Sequence, residues 1–542
     1  DRLERADLHL TKLIQALYEA SSLISSPLHQ ALRESVGTPY ALSKLDTSPD
    51  PGAYNSPLAF ALDYGVYNYV RKLAGSSEDT RRLEHEAYLS FKETEDFVSS
   101  TNKRLNAQLS GFPGAERLIS DVRGKIARIL GSFSLDEFAN SCEWGPGATS
   151  SLKGNDATVD KKILESRLSV SASALPYAVA YLKYDTAWMS ARCGVPVEGS
   201  FSPLLTNFRI SNSSRLTTVE KTISERRVID IQPTFNLFLQ KGVGSMIRRR
   251  LKRDGVDLDS QVRNQILAQL SLRLGLATVD LSKASDTISY HLVRLLLPEE
   301  WFVVLDALRT KFTSFGGELT YLQKFSAMGN GYTFELESLI FHALCAVIKE
   351  YSGLGETLHG VYGDDIVIDR RAVKCLFSAF RLFGFLPSRQ KTWSTTLFRE
   401  SCGKHYFDGI EVTPLYQKEE VMDIPSLVRA ANRYIRWVFR IHGYIASDLL
   451  LPYLMLQSLF EDWCCNRAPY VRYRHGPKRK FRPVQPFHLE GDRALIHPYT
   501  RFWREYGITR FDCFAGSSNK AAADDYALFA LSLRRGVVTE AP

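Results

Sequence analysis

The stretch Leu358-His359-Gly360-Val361-Tyr362-Gly363-Asp364-Asp365-Ile366-Val367-Ile368 decides the fold. Two short apolar runs flank a Gly-Asp-Asp tip, the pattern of a tight hairpin. Gly363 supplies the unusual backbone dihedral that such a bend needs. Two adjacent carboxylates at a turn repel each other, and a divalent cation relieves the repulsion. Solvated turns also carry Asp pairs. The hairpin alone therefore reads either as a surface turn or as half of a metal site.

Upstream, Leu274-Gly275-Leu276-Ala277-Thr278-Val279-Asp280-Leu281-Ser282-Lys283-Ala284-Ser285-Asp286 is an apolar strand that ends in an acid and enters a small-residue turn. A carboxylate at the end of a buried strand is placed rigidly, as a metal ligand must be. Buried strands seldom end on an unpaired charge, which singles out Asp280. Ser282, Ser285 and Asp286 are candidate caps for the helix that follows. Residues 313–325 alternate around Gly316-Gly317 as a hairpin. Ser326-Ala327-Met328-Gly329-Asn330-Gly331-Tyr332-Thr333-Phe334-Glu335 then forms a glycine-bracketed loop. A helix leaves it through Leu336, Leu339, Ile340, Leu344 and Val347. Asn330 can offer its amide to a sugar hydroxyl, and an ordinary helix start is the plain alternative.

Downstream, residues 377–385 read as a helix ending near Gly384. Lys391 follows in Ser388-Arg389-Gln390-Lys391-Thr392-Trp393, and residues 398–407 read as a short strand pair. Cys402 and His405 lack the further ligands that metal or nucleophile chemistry would need. Residues 217–253 are basic with interleaved apolar positions, including Lys221, Arg226, Arg227, Lys241, Arg248, Arg249, Arg250, Lys252 and Arg253. Lys221 and Arg227 are the favoured phosphate ligands, and a solvated helix face competes for residues 248–253. The loop Glu143-Trp144-Gly145-Pro146-Gly147-Ala148-Thr149-Ser150-Ser151 exposes backbone N–H groups that can approach a phosphate, or is a plain turn.

Residues 1–35 and much of 58–109 carry helical patterning, broken by a linker at Ser48-Pro49-Asp50-Pro51-Gly52. Past Leu427 the chain turns helical again. There Arg472, Arg474, Lys478, Arg479, Lys480 and Arg482 stand among Tyr470, Tyr473 and Phe481, a mixture suited to a nucleic-acid strand or to a surface loop. At 542 residues the chain exceeds what one core usually serves. Its 44% hydrophobic and 24% charged content is that of a soluble protein, and a net charge of +8 permits a polyanionic partner. The eight cysteines show no C-x-x-C pairing and read as reduced, mostly buried thiols. No apolar signal core stands at Asp1-Arg2-Leu3-Glu4-Arg5, and no segment approaches an 18-residue apolar run, so a soluble, unexported protein is expected.

The order of these parts is informative. Three carboxylates on two adjacent strands, Asp280 with Asp364 and Asp365, can hold two Mg²⁺ ions for in-line phosphoryl transfer. One ion would activate a 3′-hydroxyl, the other neutralise triphosphate and leaving pyrophosphate.

At these residues the sequence resembles the RNA-directed RNA polymerases of positive-strand RNA viruses, above all the catalytic β-subunit of RNA bacteriophage (levivirus-type) replicases. The resemblance rests on Val279-Asp280-Leu281-Ser282 with Ala284-Ser285-Asp286, on residues 328–338, and on Tyr362-Gly363-Asp364-Asp365-Ile366. Leu239-Gln240-Lys241-Gly242-Val243-Gly244 and Phe398-Arg399-Glu400-Ser401-Cys402-Gly403 extend it.

It implies an α+β, right-hand fold of fingers, palm and thumb, with an antiparallel palm sheet flanked by helices and mostly helical N- and C-terminal regions. Residues 1–270 would be the N-terminal region and fingers, with the nucleotide-entry segment at 217–253. Residues 271–415 would be the palm, with a fingers hairpin inserted at 310–325, and 416–542 the thumb and C-terminal region. The resemblance assigns Asp280, Asp364 and Asp365 to two Mg²⁺ ions, which Mn²⁺ or Ca²⁺ can replace in binding. It assigns Lys221 and Arg227 to the triphosphate, Asp286 or Ser285 with Asn330, Gly329 and Ser326 to the ribose, and Lys391 to general-acid duty.

Two departures stand out. Ser224 occupies the place of a second entry lysine, and Ser285 that of the usual second acid. Implied partners are RNA template and product, ribonucleoside triphosphates, the translation elongation factors Tu and Ts and a ribosomal protein, with no membrane, in the cytoplasm of a bacterial host. A reverse transcriptase would carry a non-glycine before the Asp pair and a bulky residue near Asp280. A non-catalytic RNA-binding protein would have no use for the three acids together.

Overall fold

A computed structural model describes residues 48–418 apart from 70, 73–76, 108–113, 146, 194–206 and 223, together with 430, 433, 434, 437, 440 and 441. The helix expected within 1–35, the aromatic and basic cluster at 470–482 and nearly all of the expected thumb lie outside these residues. The chain divides into two compact units. One comprises Asp1–Ser76, Thr222–Ser224 and His405–Pro542, the other Ser77–Lys221 and Glu225–Lys404.

In the first unit the expected linker becomes a short 3-10 turn, Pro51–Ala53, with Gly52 N donating to Asp50 Oδ1 at 2.9 Å. Helix α1 (Pro57–Asn68) follows. Its Phe60 stacks on Phe407, ring centroids 5.0 Å apart, and the Tyr64 hydroxyl hydrogen-bonds His405 Nδ1 at 2.9 Å. His405 is thus engaged in packing.

Every expected site residue belongs to the second unit. Its long helices are α2 (Ser77–Asn106) and α3 (Ala115–Leu130). Strands β1 (Ser213–Thr222) and β2 (Glu225–Ile231) precede helix α4 (Thr234–Arg253). Strand β3 (Leu276–Ser282) leads to helix α5 (Tyr290–Leu296) and to the hairpin of β4 (Phe312–Phe315) and β5 (Glu318–Tyr321). Helix α6 (Thr333–Tyr351) comes next, then β6 (Gly360–Tyr362), β7 (Asp365–Asp369), helix α7 (Val373–Phe383), β8 (Leu386–Trp393) and β9 (Phe398–Ser401).

Two four-stranded sheets organise this unit. In one, β1 joins β2 to β4, and β5 closes the far edge. The hairpin read around Gly316-Gly317 is the β4–β5 pair, and β4 lies parallel to β1. The other sheet runs β8-β3-β7-β6 and is antiparallel throughout. Strand β3 is buried on both faces from Leu276 to Val279, which explains its unbroken apolar run. On one face Val279, Leu281, Ile366 and Ile368 join a core that includes Leu336, Leu339 and Ile340 of α6. On the other, Leu276 and Val367 pack with Leu267. Helix α6 is buried nearly all round, its polar Glu335, Glu337, Ser338 and His342 included, and is a core helix, not a surface one.

Helix α7 ends as expected, with Gly384 left-handed at φ 87°. Its Leu376, Ala379, Phe380 and Phe383 face the core, leaving Cys375 exposed, whereas Cys345 and Cys402 are buried. An antiparallel sheet with helices against it, beside a second sheet carrying the inserted hairpin, thus makes up the frame of this unit.

Candidate active site

The register of the β8-β3-β7-β6 sheet brings the acids together. Val279 pairs with Ile366 and Tyr362 with Asp365, so the next step along β3 sets Asp280 beside the Gly-Asp-Asp turn. The strand does not stop at its acid: β3 continues to Ser282, held there by Pro387 and Ser388 of β8, which pair with Leu281 and Asp280. Gly363 has φ 60°, and a Cβ there would stand 2.7 Å from the Phe334 ring. The Gly363 N–H donates to Ser338 Oγ of α6 at 2.9 Å, fixing the turn to the core helix. Asp365 Oδ1 accepts from the Cys402 N–H at 3.0 Å, and Asp364 is exposed at the tip.

Burial first, then Asp364 and Glu400, push the Asp280 carboxyl up to about 6, against the pull of Lys391. Burial with Asp364, Glu400 and Asp280 pushes Asp365 up to about 7, against the Cys402 N–H. Sequence reading missed Glu400 and also Glu337, which is buried in α6 and raised well above the usual carboxylate range by burial and by Asp364 and Asp286. Among the described residues Glu337 Oε1 has no hydrogen-bond partner. Both glutamates lie inside the stretches already quoted, but nothing in their spacing marks them. Lys391 is at this centre, its Nζ 3.7 Å from Asp280 Oδ2, carried there by an irregularity in β8 between Ser388 and Trp393.

The ribose candidates separate. Asp286, in a 3-10 turn at Ser285–Thr287, takes Lys324 Nζ on Oδ1 at 2.9 Å, whereas Ser285 makes no such contact among the described residues. The helix cap is none of those expected: Ser289 Oγ accepts from Leu292 N at 3.3 Å, because the intervening 3-10 turn delays the start of α5. Asn330 Oδ1 accepts the Ala327 N–H at 3.0 Å and closes its own loop, leaving Nδ2 for a ligand. Gly329, at φ 125°, lets that loop lie on β2, since a Cβ would meet Asp230 O at 2.2 Å. Ser326 Oγ is buried without a hydrogen-bond partner among the described residues.

Of the basic segment, Arg227 is exposed and its charge acts on Glu337, while Lys221 pairs with Glu225 at 2.8 Å. Arg226 is held by Thr218 at 2.9 Å. Residues of α4 serve structure. Arg248 pairs with Glu335 at 2.6 Å and Arg250 with Glu137 at 2.7 Å. Arg250, then Arg249, hold the Glu137 carboxyl down at about 2. The Gly-Pro-Gly-Ala loop is pinned from inside, with buried Lys162 donating to the carbonyls of Gly145 at 2.5 Å and Gly147 at 2.6 Å.

Among the described residues no three His, Cys, Asp or Glu side chains stand close enough to hold a metal ion as placed. The donor set nevertheless fits a hard dication. Its oxygens are carboxylate, they raise one another's proton affinity, and the nearest cation is a lysine at 3.7 Å. A strand acid beside a Gly-Asp-Asp hairpin, on an antiparallel sheet backed by a buried helix, defines the palm of a nucleic-acid polymerase.

The chain belongs to the family described as RNA replicase, beta-chain, which matches residues 22–489. It is 34% identical over 507 residues to the RNA-directed RNA polymerase subunit beta of Enterobacteria phage SP, covering 90% of this chain and 84% of that one. It is 36% identical over 450 residues to the subunit of Qbeta virus (strain MX1), covering 78% and 73%. With the beta chain of Enterobacteria phage GA it shares 38% identity over 321 residues, 59% of each chain.

Proposed function

We propose that this RNA-directed RNA polymerase copies a single-stranded RNA phage genome by two-metal nucleotidyl transfer from ribonucleoside triphosphates, releasing pyrophosphate. The observation that carries the reading is the meeting of Asp280 and Asp365 across adjacent strands, both carboxyls pushed up to about 6 and 7 by burial and mutual repulsion.

Asp280, Asp364 and Asp365 would hold two Mg²⁺ ions, which when bound supply Lewis acidity at the 3′-hydroxyl and at the triphosphate. The residues of the chain orient the rest. Asp286 reads the 2′-hydroxyl, with Asn330 Nδ2 and the orphaned Ser326 hydroxyl beside the loop. Arg227, exposed and electrostatically linked to the palm helix, meets the triphosphate, with Lys221 further along the hairpin. Lys391, already beside Asp280, donates the proton to pyrophosphate. Lys391→Ala should slow single-turnover incorporation about 10²-fold, and an unchanged rate would remove that role.

The deciding experiment is template-dependent incorporation of ribo- against deoxyribonucleotides, on RNA and DNA templates, with and without Mg²⁺. Mg²⁺-dependent use of ribonucleotides on RNA is expected. Equal use of deoxyribonucleotides would favour a reverse transcriptase. Family membership supports work in the cytoplasm of a bacterial host with translation elongation factors Tu and Ts and a ribosomal protein. Purification of the tagged chain from infected cells without these proteins would contradict that association. Among the described residues no helix is long and apolar enough to cross a membrane.

A further inference from the structure

Lys324 is 1% exposed, an ammonium taken out of water, which is costly unless it is paired. Its Nζ lies 2.9 Å from Asp286 Oδ1, 3.4 Å from Glu95 Oε1 and 4.3 Å from the Phe91 ring centroid. Its backbone is tied to the segment that carries Asp286. Lys324 bridges Ser289, and Phe325 N donates to Ile288 O at 2.7 Å. Glu95 is anchored separately by the Gln323 N–H at 2.5 Å. Asp230, whose charge also reaches Lys324, is satisfied by Ser214 at 2.8 Å, Thr313 at 2.7 Å and Gln232 at 2.9 Å.

The ammonium does two things at this position that an apolar side chain of the same length could not: it compensates the buried Glu95 carboxylate, and it gives Asp286 a fixed direction. With Oδ1 held by Lys324, Asp286 Oδ2 accepts no hydrogen bond from the described residues, and the side chain is 26% exposed.

We propose that Lys324 is a positioning residue for sugar selection: it locks Oδ1 of Asp286 so that Oδ2 is presented in one orientation to the 2′-hydroxyl of the incoming nucleotide. The inference rests on the reading of Asp286 as the ribose contact. A carboxylate free to rotate would share its oxygens between Lys-like partners, water and substrate, and would discriminate less.

The test is the ratio of kcat/KM for a ribonucleotide to that for its 2′-deoxy analogue, in full-length Lys324→Met, Lys324→Gln, Asp286→Asn and the Lys324→Met/Asp286→Asn double variant. Folding is checked by circular dichroism and by template RNA binding. Lys324→Met should lower the ratio about tenfold or more, mostly by raising KM for the ribonucleotide and leaving the deoxy analogue nearly unaffected. The double variant should be no worse than Asp286→Asn. Equal slowing of both substrates at an unchanged ratio would overturn the proposal. Lys324→Gln carries the same expectation if the Met variant does not fold, and failure of both to fold would make the ammonium structural and overturn it too. If Asp286→Asn itself keeps the parent ratio, the reading of Asp286 fails. If Asp286→Asn loses discrimination while Lys324→Met keeps it, only the role of Lys324 fails.

Discussion

Asp280 and Asp365, on the two inner strands of their sheet, feel the charges of Asp364 and Glu400, and their raised proton affinity would make metal binding a competition with protons. The unfolded chain ionises an Asp near the ordinary value, whereas the folded site holds protons up to about 6 and 7. The metal needs the ionised forms, so its apparent affinity should climb as pH rises through 6 to 7 and level off above. Below that window it should fall by about tenfold per pH unit for each proton displaced. Isothermal titration of Mn²⁺ into the protein between pH 5.5 and 8.5 measures this. A flat affinity would mean that these carboxyls do not titrate against the metal.

At the scale of elements, the site depends on where backbones touch. The Gly329 loop lies on β2 so closely that a Cβ would stand 2.2 Å from Asp230 O, at a φ of 125°. Gly329→Ala should therefore lose more than about 1 kcal/mol of stability and weaken ribonucleotide binding, read as the urea midpoint and KM. Parent values for both would show that the loop relaxes freely. The same contacts mark where sequence reading succeeded. Both hairpins, the strand of Asp280 and the helix ending at Gly384 were legible, because period-two alternation and glycine placement are local. The delayed helix start after Asp286 was not, since the 3-10 turn depends on Lys283, whose Nζ reaches Thr94 Oγ1 of α2 at 2.9 Å. Nor was the structural fate of the α4 arginines, which is set by Glu137 and Glu335 from distant segments.

For the molecule as a whole, the three aspartates proposed as metal ligands could be picked out in the sequence because each sits on a locally readable feature, an acid in an apolar strand or a Gly-Asp-Asp hairpin. The partners that complete the centre were hidden: Glu400, Glu337 and Lys324 act through space, 36, 27 and 38 residues from Asp364, Asp364 and Asp286. The family assignment covers residues 22–489 and so extends beyond the described part of the chain. Nucleotidyl transfer is proposed to run through the three aspartates. Single-turnover ribonucleotide addition to a primed RNA, compared between the parent and Asp364→Asn over a Mg²⁺ titration, tests it most directly. A loss of more than about 10³-fold, with RNA binding retained, is expected. Extension by Asp364→Asn at close to the parent rate would contradict it.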